Sequence, residues 1–247
     1  MVTLEEVRAS NAQVSESLSP GLVTVFVGGT RGVGESTMKG FARHVAQPRI
    51  YFVGRSERAA ARVTADLAAI NPRAECHFIR VDVSLLRNVD KVCWDIKRRE
   101  RFVNLLFFAT GVPTVGKGQY SETAESLYYP TAMAYYSRVR FIVNLLPLLQ
   151  RAPALRRVVS VYGGGCEGQL CLGDLQGRSL PTVLSSTTST PLGLDLRSHT
   201  SSMMTLAFES LALEAPDSHS GRPRSHGIIV IIVCLGLSQG PAAPCGG

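Results

Sequence analysis

The sequence has few lysines and no long apolar run. Only four of its 247 residues are lysine, the last being Lys117, and arginine makes up the rest of the 26 basic residues. The longest uncharged apolar stretch, 228–237, is about half as long as a membrane-spanning helix, so we interpret it as a buried strand. Glu5 and Glu6 lie in a first segment without an apolar run, so we expect no secretory signal.

Cysteines at metal-ligand spacing are also lacking. The six cysteines form no C-x-x-C pair, and Cys76 and His77 have no further ligand at a suitable distance along the chain. We therefore predict no metal site. In the absence of a secretory signal, the cysteines are expected to be reduced, mostly buried thiols of a cytoplasmic protein.

The basic residues do not form a nucleic-acid-binding pattern. The formal net charge is +7, but the arginines are scattered, and their densest cluster is Arg98, Arg99 and Arg101. We interpret that cluster as a solvated helix face. An attraction for anionic small molecules fits the charge equally well. We expect a small-molecule substrate, and neither nucleic acid nor a membrane as partner.

Composition and length indicate one globular domain. With 45% hydrophobic and 18% charged residues, the chain is neither disordered, collagen-like nor a coiled coil. Its length suits one sizeable core. We expect an extension over 1–20 and a single domain over 21–247. Within that domain, 163–197 is predicted to be an irregular loop and 216–225 has turn composition.

Apolar strand patterns alternate with helical patterns along the domain. Because each strand is nearly wholly apolar, the pattern predicts a parallel sheet covered by helices on both faces, which is a doubly wound α/β fold. Strands are predicted over 22–27, 50–53, 76–81, 102–109, 157–162 and 227–234, and helices over 35–45, 57–70, 85–99, 131–149 and 201–214.

A glycine-rich loop directly follows the first predicted strand. Gly28 permits a sharp turn, Gly32 lets backbone N–H groups approach a phosphate, and Gly34 lets the next helix pack close to the sheet. The positive end of that helix then faces the phosphates. This order of strand, loop and helix predicts a dinucleotide site. A glycine turn without a ligand is the alternative.

The end of the second predicted strand carries arginine in place of an acid. A cofactor without a 2′-phosphate needs an acid there for its ribose hydroxyls, and this chain has Gly54-Arg55-Ser56. Arginine pairs bidentately with a phosphate, and Arg31 in the glycine loop can stack on the adenine or bind the same phosphate. We therefore predict NADP(H) as the cofactor. The alternative is that Arg55 is a surface arginine.

Three motifs together resemble the short-chain dehydrogenase/reductase family. They are GGTRGVG at 28–34, Val81-Asp82-Val83, and FFATG at 107–111, although both asparagines of the family's third motif are missing. The resemblance implies a Rossmann-like sheet of that family's type. With Arg55, it implies a cofactor-binding set of Gly28, Thr30, Arg31, Gly32, Val33, Gly34, Arg55, Asp82, Val83, Ala109, Thr110 and Gly111.

The resemblance covers roughly residues 21–240 and extends to one divergent subgroup. Stretches at 134–149, 156–168 and 201–216 resemble members common in fungal secondary-metabolite gene clusters. The family often pairs its long helices, which implies a homodimer or homotetramer. After the sixth predicted strand, however, the chain has no Pro-Gly turn, and we expect the last strand of the family's sheet to be missing.

The standard catalytic groups of the family are missing. Family members use an asparagine, a serine, a tyrosine and a lysine, with the lysine four residues after the tyrosine on one helix face. That pair follows the fifth strand, and no lysine follows Lys117, so the pair is absent here. Counting from neighbouring motifs, the four positions hold Ala134, Gly163, Arg197 and Ser201.

Three other residues are candidates for catalysis. Tyr162 lies at the carboxyl end of the fifth strand, where open α/β sheets bind ligands, and Ser160 points to the same side. His199, near the start of the next helix, has a pKa range suited to proton transfer. The alternatives are packing for Tyr162 and a cap or surface position for His199.

Three functional hypotheses follow. The first is an NADP-dependent oxidoreductase that acts on a carbonyl or alcohol of a secondary metabolite. The second is a non-catalytic NADP-binding relative, acting as a sensor or a partner subunit, because the tyrosine–lysine pair is absent. The third is a truncated, inactive product.

Overall fold

Six apolar strands form one parallel sheet. The structure is a computed structural model and describes residues 3–111, 121–181, 195–213 and 229–234. The sheet order is β3-β2-β1-β4-β5-β6, and every neighbouring pair is parallel. This confirms the predicted doubly wound α/β fold. The strands are β1 (Val23–Val27), β2 (Arg49–Gly54), β3 (Glu75–Arg80), β4 (Leu105–Phe108), β5 (Arg157–Tyr162) and β6 (Ile229–Cys234).

Helices connect the strands and cover both faces of the sheet. Successive side chains of a strand point to opposite faces, so Val25 packs with the cluster that includes α5 and α7, and Phe26 with the cluster that includes α3 and α4. The helices are α1 (Leu4–Ala12), α2 (Val14–Ser17), α3 (Gly32–His44), α4 (Glu57–Ile70), α5 (Leu86–Arg99), α6 (Tyr129–Thr131), α7 (Ser137–Arg151) and α8 (Leu196–Leu213).

The strand order changes direction at β1. Phe26 of β1 is in register with Phe52 of β2 on one side and with Phe107 of β4 on the other. The chain runs from β1 through β2 to β3 on one side of β1 and then crosses over to β4 on its other side. In open α/β sheets, the crevice at the carboxyl ends of the strands beside such a point is where ligands bind.

The predicted strands and helices recur, with differences at their ends. Helix α4 and strand β5 have the predicted bounds, whereas α8 begins at Leu196 instead of 201. Strand β4 is shorter than predicted, and the Asn104 side chain before it hydrogen-bonds the backbone of two neighbouring segments. Its Oδ1 accepts a hydrogen bond from Val23 N at 2.9 Å, and its Nδ2 donates to Ala154 O at 2.6 Å.

A π-helical turn, Ala132–Tyr136, joins α6 to α7 and was not predicted. Helices α1 and α2 were also not predicted. In α1, the Glu6 side chain accepts from Thr3 N at 2.7 Å and Thr3 Oγ1 accepts from Glu6 N at 3.2 Å, a reciprocal cap that stabilises the first turn. None of the residues of α1 is buried.

Some predictions fall on residues that the structure does not describe. These are the predictions that 216–225 forms a turn, that 182–194 is irregular, and that no further strand follows residue 234. The described parts of the predicted irregular loop are 163–181, which has turns but neither helix nor strand, and 195–197, where α8 already begins at Leu196 against the prediction. Within the described ranges, no helix is both long and apolar enough to cross a membrane.

Candidate functional site

The glycines of the first loop allow three elements to meet closely. Gly28 has a φ of +93°, and a Cβ there would lie 2.8 Å from the backbone N of Thr110. A Cβ on Gly34 would collide with the Gly28 carbonyl oxygen and would lie 3.0 Å from the Ala109 Cβ. Any larger residue would therefore push α3 away from the ends of β1 and β4.

The amino terminus of α3 presents free backbone N–H groups to solvent. Gly32 begins the helix with a φ of +59°, and Arg31 before it is extended and exposed. The first N–H groups of a helix have no partner within the helix, and the helix dipole makes this end positive. Gly32 and Val33 are exposed and Gly34 is buried. This end of α3 is suited to bind an anion.

The acid nearest this helix end is neutralised by neighbouring cations. Glu35 accepts hydrogen bonds from Arg62 Nη2 at 2.6 Å and from Lys39 Nζ at 2.7 Å. The Arg62 hydrogen bond is the largest cause that lowers the pKa of Glu35 to about 2, against the opposing effect of burial. Lys39 also contacts Asp66 of α4 at 2.7 Å. These ion pairs tie α3 to α4 and draw the Glu35 charge away from the loop.

A pocket opens in front of this loop at the carboxyl ends of the strands. Nine of the twelve residues predicted to bind the cofactor line it, and Gly32, Val33 and Gly34 lie beside it on α3. Its further lining residues are Val53, Gly54, Val81 and Met133. The nine are Gly28, Thr30, Arg31, Arg55, Asp82, Val83, Ala109, Thr110 and Gly111.

Two arginines and one acid set the charge of the pocket. Arg31 and Arg55 are exposed, and Arg55 Nη1 donates to the Tyr129 hydroxyl at 3.3 Å. Asp82 is held in place because its Oδ1 accepts from Ser84 N at 3.0 Å. The arginines therefore present positive charge where the chain leaves β1 and β2, apart from the acid that follows β3.

Tyr162 belongs to a chain of hydrogen bonds that ends at an exposed carboxylate. Its hydroxyl lies 2.9 Å from Thr205 Oγ1 of α8, and Thr205 Oγ1 donates to Glu167 Oε1 at 2.8 Å. Burial is the main cause that raises the pKa of Tyr162. The phenol is therefore protonated near neutral pH and is connected to solvent through two further oxygens.

Ser160 is held from the side of α7 by a buried arginine. Arg138 Nη1 donates to Ser160 Oγ at 2.5 Å and to Val161 O at 2.9 Å, and Arg138 Nη2 donates to Thr110 O. Ser160 is fully buried. Burial lowers the pKa of Arg138 to about 10. Arg138 thus connects the candidate catalytic strand end to the cofactor pocket through Thr110.

His199 is a buried anchor for the loop after β5. Its Nδ1 accepts from Cys171 N at 3.2 Å, so the Nε2 carries the proton and donates to Leu175 O, also at 3.2 Å. Both ring nitrogens are therefore engaged by the backbone. The catalytic role predicted for His199 stays a prediction, and the geometry supports a role in holding this loop.

The structure brings together three of the positions that the family uses for catalysis. A Cβ on Gly163 would lie 2.8 Å from Ser201 Oγ and 3.0 Å from Arg197 Nε. Ala134 lies in the π-helical turn. Counting from neighbouring motifs predicts that Gly163, Arg197 and Ser201 occupy the positions of the family's serine, tyrosine and lysine, respectively. The proximity of the three residues agrees with that prediction.

Sequence reasoning missed Arg138, Thr205 and Glu167. The first of these had a signal: Arg138 precedes Ile142, Leu145 and Leu149 at helical spacing, and all three are buried. An arginine on the buried face of a helix needs acceptors inside the protein. Thr205 and Glu167 are 38 residues apart, and no local pattern predicts that they meet.

Comparison with known proteins relates this chain to oxidoreductases. It is 39% identical over 216 residues to an oxidoreductase of Emericella nidulans, covering 87% of this chain and 60% of that protein. It is 31% identical over 226 residues to the short-chain dehydrogenase/reductase SAT2 of Stachybotrys chartarum, covering 86% of this chain and 61% of that protein. The chain thus spans about three fifths of the length of these curated relatives. No protein-family model matches it.

A solved structure has the same fold. The RhlG/NADP active-site complex of Pseudomonas aeruginosa matches with a TM-score of 0.56 at 18% sequence identity, covering 79% of this chain and 67% of that chain. The likeness shows the fold alone, a Rossmann-like sheet with flanking helices. Among the residues that our structure describes, no group of three or more His, Cys, Asp or Glu side chains is arranged to hold a metal ion.

Proposed function

The chain is a relative of the short-chain dehydrogenases/reductases in its fold, motifs and sequence, and from this premise we propose that it is an NADP(H)-dependent oxidoreductase. The observation that carries the proposal is the close meeting of Gly28 and Gly34 with the strand ends, in front of a pocket lined by Arg31 and Arg55. Because both positions are glycine, α3 can begin close to the ends of β1 and β4, and its first N–H groups then face the place of a pyrophosphate.

The residues present fit the cofactor. Backbone N–H groups of 32–34 would hold the pyrophosphate, and Arg55 and Arg31 would pair with the 2′-phosphate. Asp82 and Val83 would contact the adenine, and Ala109, Thr110 and Gly111 would line the adenosine side. When bound, the cofactor would supply hydride chemistry.

The substrate is proposed to be a small molecule with a carbonyl or an alcohol, from secondary metabolism. This proposal rests on the subgroup resemblance of 134–149, 156–168 and 201–216. Tyr162 would exchange a proton with the substrate oxygen, since its phenol is protonated near neutral pH, and Ser160 would help to orient the strand end. We also propose a cytoplasmic location, which the free thiols of Cys76, Cys93, Cys166 and Cys171 support.

A homodimer or homotetramer through α5 and α7 is also proposed. These two helices pack side by side, and Trp94 of α5 and Val143 of α7 are 57% and 49% exposed. Large apolar side chains that stay exposed on adjacent helices are typical of an association surface.

A non-catalytic NADP-binding protein is the second candidate function. The observation that favours it is the meeting of Gly163, Arg197 and Ser201 where the family has its serine, tyrosine and lysine. Glycine offers no side-chain group, and the arginine and serine do not reproduce the family's tyrosine–lysine pair. In this case the chain would act as a sensor or as a partner subunit.

Titration with NADPH, followed by fluorescence, tests both functions. We expect saturable binding, and then oxidation of NADPH in the presence of members of a panel of aldehydes and ketones. Binding without turnover across the panel would favour the non-catalytic function. Absence of binding would contradict both and would favour an inactive product.

A further inference from the structure

Arg138 is a buried cation without a carboxylate partner among the described residues. It is 2% exposed, and its three acceptors, Thr110 O, Ser160 Oγ and Val161 O, are all neutral. Its Nε is buried and has no hydrogen-bond partner in the described part of the chain. A buried guanidinium without a negative partner is costly. The site therefore favours any change that creates a negative charge close to Arg138.

Tyr162 is the ionisable group that faces this cation. Arg138 contacts Ser160, which lies two residues before Tyr162 on the same face of β5. Burial is the largest cause that raises the pKa of Tyr162, and the charge of Glu167 raises it further, whereas the Thr205 hydrogen bond and, to a smaller extent, the charge of Arg138 lower it. Arg138 comes from α7 and Glu167 from the loop after β5, and α8 contributes the neutral side chains Thr205 and Phe208 to the surroundings of the phenol. Arg197 of α8 lies beside Gly163, the residue after Tyr162, so α8 also brings a cation to this strand end.

The hydrogen bonds from Tyr162 to Glu167 have one direction. The Glu167 carboxylate can only accept, and its pKa is held below the usual value mainly by backbone N–H groups and Thr205. Thr205 must therefore donate to Glu167, and its oxygen accepts the proton of the Tyr162 hydroxyl. Both hydrogen bonds are therefore donated in the direction from the half-buried Tyr162 phenol toward the exposed Glu167 carboxylate.

We propose that Tyr162, Thr205 and Glu167 form a proton path, and that Arg138 is the positioning residue whose charge stabilises the tyrosinate. The Tyr162 proton moves to Thr205 Oγ1 while the Thr205 proton moves to Glu167 Oε1. One O–H bond breaks on Tyr162, one is exchanged on Thr205 and one forms on Glu167. The negative charge thereby moves from the carboxylate to the phenolate beside Arg138, and exposed Glu167 exchanges its proton with water.

The same path run in reverse returns a proton to the tyrosinate after Tyr162 has given one to a substrate oxygen. The use of the path in catalysis rests on the proposed function, whereas the ionisation of Tyr162 does not. Tyr162 lies on β5 and Arg138 lies on α7. Neither residue requires the lysine of the family's tyrosine–lysine pair, which is absent because no lysine follows Lys117.

Titration of the phenol tests the role of Arg138 without substrate. Fluorotyrosine, whose phenol ionises at lower pH, replaces the tyrosines of the full chain, and the ultraviolet spectrum of Tyr162→Phe is subtracted at each pH. We expect Arg138→Met to shift the Tyr162 titration to higher pH, and Arg138→Lys to shift it much less. An unchanged titration in folded Arg138→Met would overturn the proposal.

A second pair of variants tests the path and does not alter the buried cation. Thr205→Val keeps the shape but removes the hydroxyl, and Thr205→Ser keeps the hydroxyl. We expect an upward shift of the Tyr162 titration in the valine variant only, because the Thr205 hydrogen bond lowers that pKa. Equal titrations in the two variants would contradict the path. They test the path even if Arg138→Met fails to fold.

Turnover separates this inference from the proposed function. If the oxidoreductase function holds, Thr205→Val lowers kcat and moves its pH profile, with NADPH binding unchanged, and Thr205→Ser restores both. If the wild-type chain binds NADPH but shows no turnover, the oxidoreductase function fails, and the phenol titrations still test Arg138 and Thr205.

Discussion

The first turn of α3 should tolerate no methyl group at Gly34, although alanine is the better helix former. Gly34 and Gly40 lie in the same helix, and a Cβ at Gly40 meets nothing within 4 Å. Gly40→Ala should therefore gain about 1 kcal/mol in the free energy of unfolding from helix propensity. At Gly34, the added Cβ meets the Gly28 carbonyl oxygen and the Ala109 Cβ.

Overpacking of this kind costs about 1–3 kcal/mol, which offsets the propensity gain and leaves Gly34→Ala less stable by up to about 2 kcal/mol. For a chain of this size, that difference lowers the melting temperature by roughly 4–8 °C, while Gly40→Ala raises it by roughly 2–4 °C. The displaced helix end should also weaken NADPH binding at least about tenfold, or about 1.4 kcal/mol.

Calorimetry and NADPH titration of the two variants measure both effects. The matched position removes any general influence of alanine in α3. If Gly34→Ala melts as high as Gly40→Ala and binds NADPH as tightly as wild type, then the close packing of Gly34 against Gly28 and Ala109 is not what forms the site.

Two further predictions concern buried or paired side chains outside the loop. His199→Ala leaves Cys171 N and Leu175 O without partners, so we expect the free energy of unfolding to fall by about 2–4 kcal/mol and proteolysis within 168–177 to accelerate; unchanged cleavage would contradict the anchoring role. The Arg62 hydrogen bond lowers the pKa of Glu35 in the folded protein from its ordinary value of 4.5 to about 2, so the contribution of Glu35 to stability is present above pH 4.5 and is lost as the pH falls toward 2. Glu35→Gln should reduce that pH dependence in denaturant titrations, and an equal slope in both proteins would contradict it.

The parts of the fold with local signals could be predicted from sequence. Helix α4 has its predicted bounds because Ser56 caps its first turn, accepting from Ala59 N, and Asn71-Pro72 ends it. The glycine loop is similar, since the turn, the close approach and the helix start depend on neighbouring residues. Nine of the twelve predicted cofactor residues line one pocket for this reason.

The candidate catalytic residues make their contacts with residues distant in the sequence, and the sequence did not predict these contacts. The alternation of side chains along β5 predicts that Ser160 and Tyr162 point to the same side, but it does not predict their partners. Ser160 accepts a hydrogen bond from Arg138, and Tyr162 is hydrogen-bonded to Thr205. His199 appeared to be a titratable group near a helix start, and its two backbone partners come from an irregular loop whose path has no pattern. The π-helical turn likewise has no local signal in the sequence.

One ratio tests most directly whether Arg55 makes this pocket prefer a dinucleotide that carries a 2′-phosphate. The dissociation constants of NADPH and NADH are measured by fluorescence for wild type and Arg55→Asp, with exposed Arg58→Asp of α4 as control. We predict that wild type and the control prefer NADPH, and that Arg55→Asp loses this preference by at least about tenfold. An unchanged preference in Arg55→Asp would contradict the account.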